Sequence, residues 1–453
     1  MNGSNFKAVK PKVCLLPFGY PNYPLELLER FTGESRDMLN ELGLEVTTSP
    51  IVIEIEDAAK ARQALESQRF DCIIPLILSW IEVPNVIESL QGYLHLPLLL
   101  WSHTMWQEGG ELLTLGPIPA AAVMRQTFED MALSFRFVYG MPGEEQVQQE
   151  IKLFALAASA AHKLQHSRIG LVGYPSMGMY TGMMDPLALR QQIGPEVDQV
   201  DQYILIKKIE EISDERVQPL IVKAQGAWTL SDRVKTSDLS ITLKMYLALS
   251  DLAQEHHWDA LTIKCQYELS KYYHHTPCVP LSMLGDDLTV SCEGDLPLIA
   301  TQLAMHYLSG EIATYGDLHT VDGNKLLVGA CGFAPFGLAE GRPKVDVTET
   351  IYEGLANCTL YREGRVTLAR LNNGRRDGFK MQLETGEARV PPPFHEIGCL
   401  PYPAMQVTLD GSGSYFAQHV MSQHYALVYG DITKEMEEFC RIKAIAPIRS
   451  THS

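Results

Sequence analysis

Long apolar runs are missing from this chain of 453 residues: the most apolar stretch, residues 96–101, is far too short to cross a bilayer. The first residues, Met-Asn-Gly-Ser-Asn-Phe-Lys, lack the positively charged start and apolar stretch of an export signal. The chain therefore reads as cytoplasmic. Positive charge is also scarce. Lys and Arg number 37 against 55 Asp and Glu, a formal charge of −18 that repels phosphate backbones and anionic lipid. Nucleic acid and membrane surfaces are excluded as expected partners. The nine cysteines contain no Cys-x-x-Cys pair, and several sit in apolar stretches where a thiol behaves as a small hydrophobe. No disulfide framework is implied.

Apolar residues make up 46% of the chain and charged residues 20%, an ordinary composition for a globular enzyme. The length exceeds what one core supports, so two or three domains are expected. From residue 12 to about 164, short apolar runs alternate with amphipathic segments, the signal for strand, helix, strand units around a parallel sheet. Strands are expected at 13–17, 44–48, 72–76, 98–101 and 135–139, with helices at 35–42, 57–67, 86–93, 120–133 and 144–164. A second unit begins with the strand from Arg168 and its Gly-rich loop, 175–182. It continues with a helix at 237–256, strands at 260–264, 279–283 and 288–291, a helix at 295–308 and a strand at 312–315. After about residue 321 the helical period gives way to short β segments at 326–330, 346–352, 358–361, 365–371 and 378–383, split by Gly, Asn, Asp and Pro turns. A helix at 434–441 follows His424. The expected fold is α/β: two doubly wound parallel-sheet domains, 1–165 and 166–320, then a smaller antiparallel β-rich domain, 321–453.

Three polar residues in the second half point to chemistry. Glu293, in Ser-Cys-Glu-Gly-Asp, falls between a strand and a helix, at the carboxyl end of a sheet strand. Asp317, in Tyr-Gly-Asp-Leu-His, is expected just past the next strand in the same way, and open parallel sheets bind ligands at that edge. His424 lies in Gln-His-Tyr-Ala-Leu-Val-Tyr-Gly. Two carboxylates and an imidazole can hold a divalent cation of the manganese kind and leave positions open for substrate oxygens. Acids at helix starts more often cap the helix, and a lone histidine on an apolar strand is more often a packed or surface group. Spacing alone leaves both readings open.

Four segments, taken together, resemble the L-fucose isomerase and L-arabinose isomerase superfamily, on its shorter fucose-type branch. They are Ser176-Met-Gly-Met-Tyr-Thr-Gly-Met-Met-Asp185, Cys292-Glu-Gly-Asp295, Asp317 placed 24 residues after Glu293, and Gln423-His424 running to Tyr429-Gly430. The resemblance implies a ketol-isomerase that interconverts an aldose and its ketose through an enediolate. It further implies Mn²⁺ or another divalent cation on Glu293, Asp317 and His424, with the two carboxylates moving protons between C1, C2 and their oxygens. Gln266 and Trp80 sit where relatives line the sugar pocket. A homo-oligomer, trimer or hexamer, is implied as well. Ala330-Cys331-Gly332 stands where related isomerases often carry His-Cys-Gly, which favours a three-ligand, fucose-type site; His319 is the one nearby substitute for a fourth ligand. The substrates in view are L-fucose, D-arabinose or a related sugar, including a C6-sulfonated hexose.

Two other classes fit parts of the pattern. Two α/β domains with a cleft also describe a sugar-binding protein without turnover. Gly173, Gly178 and Gly182 decorate a strand-to-helix loop, but without the Gly-x-Gly-x-x-Gly spacing of a nicotinamide-dependent oxidoreductase. Cys265, His274, His275 and Cys278 suggest zinc, yet lack a structural knuckle's spacing.

Overall fold

The computed structural model describes residues 10–66, 68–349, 353–394 and 402–450, in two compact units, residues 8–162 and the chain from 163 on. In the first unit the strands are β1 (Lys12–Phe18), β2 (Glu45–Thr48), β3 (Cys72–Ile77) and β4 (Leu98–Ser102), then a hairpin of β5 (Trp106–Glu108) and β6 (Glu111–Leu113), and β7 (Phe135–Tyr139). Five of them form a parallel sheet in the order β2-β1-β3-β4-β7. β1, β3 and β4 read as nearly continuous apolar runs because both faces are covered. Leu16, Phe18, Ile73, Ile77, Leu98, Leu100 and Phe128 lie in the core, each contributing roughly 1.5–3 kcal/mol by leaving water. The first helix, Leu25–Glu41, starts well before the expected residue 35, directly after Pro24.

The second unit opens with the same winding. β8 (Arg168–Val172), β9 (Glu196–Val200), the two-residue β10 (Thr229–Leu230), β11 (Ala260–Ile263) and β12 (Thr289–Cys292) follow one another. Four of them make a parallel sheet ordered β12-β11-β8-β9. The stretch expected as a strand at 279–283 is instead the helix Cys278–Leu284. A short apolar run has no period to separate strand from helix, and Pro280 suits a first helical turn better than a buried ladder.

The β-rich part comprises β13 (Thr314–Asp322), β14 (Lys325–Gly329), β15 (Lys344–Glu349), β16 (Glu353–Asn357), β17 (Gly364–Leu371), β18 (Lys380–Arg389), β19 (Ala404–Leu409), β20 (His424–Tyr429) and β21 (Ala446–Ile448). Six strands pair antiparallel around a closed barrel, β17-β20-β13-β14-β19-β18, with β18 returning to β17 and β21 added parallel to β18. Closure leaves those strands no free edge. β15 pairs with both β10 and β16 in a separate sheet, so the strand expected at 358–361 is displaced to 353–357, and Tyr361 keeps only a bridge to Ala339. The last residues of the strand expected at 346–352 lie outside the described residues. Asn372 to Gly374 turns β17 into β18 as expected, and a helix, Thr433–Ile442, follows β20.

One element brings the parallel sheet and the barrel together. The helix Leu296–Ser309 is buried on nearly every side and packs against β12, β17 and β20. Among the described residues, no helix is long and apolar enough to cross a membrane.

Candidate metal centre

β12 ends at Cys292, and the next two residues turn the chain with positive φ, 71° at Glu293 and 67° at Gly294. Holding a non-glycine residue there costs on the order of 1–3 kcal/mol, a strain that clusters at functional sites. Gly294 cannot be larger, because a Cβ would sit 2.6 Å from the Tyr174 carbonyl oxygen. Asp295 then caps the helix as expected: its Oδ1 accepts from Leu298 N–H at 3.0 Å, and Pro297 occupies the first turn. The outcome is a buried carboxylate, Glu293, at the carboxyl end of a parallel strand.

The other two groups come from the barrel. Asp317 on β13 stands directly opposite His424 on β20. Asp317 is therefore inside an antiparallel strand and not just past the end of a parallel one, which corrects the sequence expectation. The strand runs through residue 316 and needs glycine there for packing, since a Cβ would come 2.4 Å from Val328 Cγ1.

His424 Nε2 lies 3.2 Å from Glu293 Oε2 and 3.0 Å from Asp317 Oδ1. One donor atom from each residue falls within 4.8 Å of the other two. Nε2 is buried and makes no aligned hydrogen bond, as suits a ring nitrogen kept for a ligand. The Asp317 side chain is 18% exposed while the His424 side chain is fully enclosed, so the centre opens on one side. Burial acts to depress the His424 pKa, but the charges of Glu293 and Asp317 and the contact with Asp295 reverse this and hold it well above the ordinary value. The site calls for positive charge, which a divalent cation meets. The donor set fits such an ion.

Around this trio stand polar groups of stated partners. Gln266, in the loop after β11, donates from Nε2 to Glu293 Oε1 at 2.7 Å, while its own Oε1 is buried without a hydrogen-bond partner. Lys264, just before it, is nearly enclosed, with Nζ 2.6 Å from both the Tyr174 hydroxyl and Glu268 Oε2. Asp295 Oδ2 accepts from His424 Nδ1 at 2.9 Å and from Arg370 at 2.7 Å. Burial acts to raise the Asp295 pKa, but Arg370 and His424 hold it at about 2. The Tyr315 ring meets the imidazole edge-on at 5.2 Å.

Of the residues singled out in the sequence, Glu293, Asp317, His424 and Gln266 come together, and Trp80 lies partly exposed in the first unit, in the loop after β3. His319 is outside the group of three. His274 pairs with Glu353 at 2.6 Å, and among the described residues Cys265, His274, His275 and Cys278 do not form a group that could hold a metal ion. Sequence reasoning missed Arg370 and the second use of Asp295. An arginine inside the apolar run Val-Thr-Leu-Ala-Arg-Leu is a signal, because a buried guanidinium requires an acid.

No family model matches the chain. It is similar over nearly its whole length to proteins named sulfoquinovose isomerase. That of Priestia aryabhattai is 22% identical over 449 residues, 95% of this chain and 97% of its own. That of Alkalicoccus urumqiensis is 23% identical over 443 residues, with the same shares. That of Clostridium sp. (strain MSTE9) is 24% identical over 451 residues, 94% of this chain and 96% of its own. The chain is an enzyme related to isomerases that act on a sugar.

Proposed function

We propose that the chain is a divalent-metal-dependent aldose–ketose isomerase acting on a hexose that carries a sulfonate at C6. The observation that carries the reading is the meeting of Glu293, Asp317 and His424 within 4.8 Å, in a chain similar from end to end to sulfoquinovose isomerases. The resemblance to fucose-type isomerases supports a second reading, in which the substrate is an unsulfonated aldose such as L-fucose or D-arabinose.

Glu293, Asp317 and His424 would hold a divalent cation, Mn²⁺ being suited to two carboxylates and one imidazole, and that ion would supply positive charge where the sugar's carbonyl oxygen becomes an oxyanion. The residues do the rest. Isomerisation takes a proton from C2 and returns one to C1, while a hydroxyl proton passes from O2 to O1, so nothing is gained or lost. Glu293 and Asp317 are the groups placed to carry these protons. Gln266 fixes one Glu293 oxygen at 2.7 Å, leaving the other toward the centre. The open side at Asp317 admits the sugar, and Gln266 Oε1 is an acceptor ready for a sugar hydroxyl. Trp80 enters as a sugar-reading residue through the family resemblance alone, and so does assembly as a trimer or hexamer, which light scattering measures.

The test is an assay of sulfoquinovose, L-fucose and D-arabinose with Mn²⁺ in D₂O, following ketose and deuterium at the migrating position. Ketose from the sulfonated sugar, lost on chelation and restored by Mn²⁺, is expected. Turnover indifferent to chelation would overturn the metal-dependent mechanism. Sugar binding with no turnover would return the chain to the sugar-binding class, and nucleotide-dependent oxidation to the oxidoreductases.

A further inference from the structure

Capping a helix asks little of a side chain. Serine or asparagine does it as well as aspartate, and a buried carboxylate carries a desolvation cost of several kcal/mol. Asp295 nevertheless is 1% exposed and uses both oxygens. Oδ1 is spent on the Leu298 N–H. Oδ2 lies between two groups from the barrel, His424 Nδ1 on β20 and the Arg370 guanidinium on β17.

We propose that Asp295 is a positioning residue for the metal centre: braced by Arg370, its Oδ2 accepts a hydrogen bond from Nδ1–H of His424 and so turns the bare Nε2 toward Glu293 and Asp317. The inference rests on the metal-dependent reading above. A carboxylate can only accept, so the hydrogen bond at Nδ1 requires the proton on that nitrogen, and a neutral ring then keeps its lone pair on Nε2. The geometry agrees from the other end, where Nε2 is the ring atom without an aligned partner. Tyr315, edge-on to the ring, limits its rotation. Outer partners of this kind fix a ligating imidazole's tautomer and are commonly worth 10–100-fold in metal affinity.

Arg370 has a second contact that gives the arrangement its reach. Its other terminal nitrogen donates to the Thr181 carbonyl at 2.7 Å, and the Thr181 hydroxyl is 3.0 Å from that of Ser422, two residues before His424. Gln423 in turn contacts Met179. The Gly-rich loop, the start of the buried helix and the two barrel strands are thereby joined in one ring of contacts around the imidazole. A cap alone would explain none of these links.

The experiment is Asp295→Asn, which keeps the size and the capping oxygen but puts an amide where Oδ2 was. Mn²⁺ affinity is read by calorimetry, and the tautomer by ¹⁵N spectra of histidine-labelled protein loaded with diamagnetic Mg²⁺. The His424 signal is identified by its loss in His424→Gln. The expected result is 10–100-fold weaker Mn²⁺ binding with an unchanged circular dichroism spectrum, and a kcat at saturating Mn²⁺ reduced far less than the affinity. A folded Asp295→Asn chain with wild-type Mn²⁺ affinity overturns the proposal. Should that variant not fold, the wild-type spectrum decides alone: a proton on Nδ1 supports the proposal, and a proton on Nε2 with Nδ1 bare overturns it. A wild type that binds Mn²⁺ tightly but isomerises no aldose removes the isomerase reading while leaving these outcomes intact.

Discussion

The five-stranded sheet of residues 8–162 and the four-stranded sheet of the second unit share one winding, the second lacking only the final outer strand. Their carboxyl ends differ. After its strands the first sheet continues into Ser49, Ser79, His103 and Gly140, uncharged near neutral pH. Burial pushes the His103 pKa down to about 3, so this imidazole stays neutral, with Nε2 3.0 Å from the Ser35 hydroxyl. The second sheet continues into Lys264, Gln266, Glu293 and Asp295, all buried, with positive φ at Glu293. Topology offers a ligand edge in both sheets. What distinguishes the second edge is charge taken out of water and held by named partners, on backbone that bears strain.

The largest effect that sharpens this contrast is expected from Glu293→Gln. On the proposed mechanism, loss of this carboxylate should lower kcat by about 10²–10⁴-fold in the sugar assay. An unchanged rate would mean that the strained turn serves folding only. Next come two matched glycine substitutions. Gly294→Ala adds both left-handed strain and a clash with the Tyr174 carbonyl, so a loss of about 3 kcal/mol or more is expected in urea unfolding. Gly92→Ala, in the first unit, meets nothing within 4 Å at a φ of 93° and should cost only about 1 kcal/mol. Equal losses would mean that the Tyr174 carbonyl does not constrain position 294 and that its positive φ alone sets the cost.

The smallest effect concerns burial of charge away from that edge. Asp286, before β12, is half-buried and accepts from Gly337 N–H. Burial, helped by the charge of Asp287, raises its pKa to about 6. The folded chain thus holds this proton more tightly than the unfolded chain, whose value is about 4. The penalty for the ionised group is full above pH 6 and gone below about 4. Asp286→Asn should therefore stabilise by about 1 kcal/mol at pH 8, after discounting for solvent, and by nothing at pH 4. Urea midpoints at the two pH values measure it, and Mn²⁺ affinity should not move. A destabilised variant at pH 8 would show that buried charge is compensated there too.

Much of the scaffold was legible in the residues. β1, β3, β4 and β8 are continuous apolar runs, and Asp295 with Pro297 announces a helix start. The segment 279–283 was not legible, because five apolar residues fit either a strand or a helix until tertiary contacts choose. Asp317 was read into the wrong kind of sheet, since the strand was expected to end at residue 315, and Val328, which packs on Gly316, comes from the next strand. The trio itself was found through motif order in a resemblance. Arg370 with Asp295 was out of reach, being a pairing across 75 positions that only the folded chain makes.

The register that sets Asp317 opposite His424 also limits how this lineage can vary. Side chains alternate faces along a strand, so one residue gained or lost between Thr314 and Asp317 would carry the aspartate to the opposite wall. Length can drift at hairpin tips such as the bend after Leu371, where nothing downstream is re-phased. Inside those few positions the barrel behaves as a ruler, and evolution is free to repaint it but not to change its graduations.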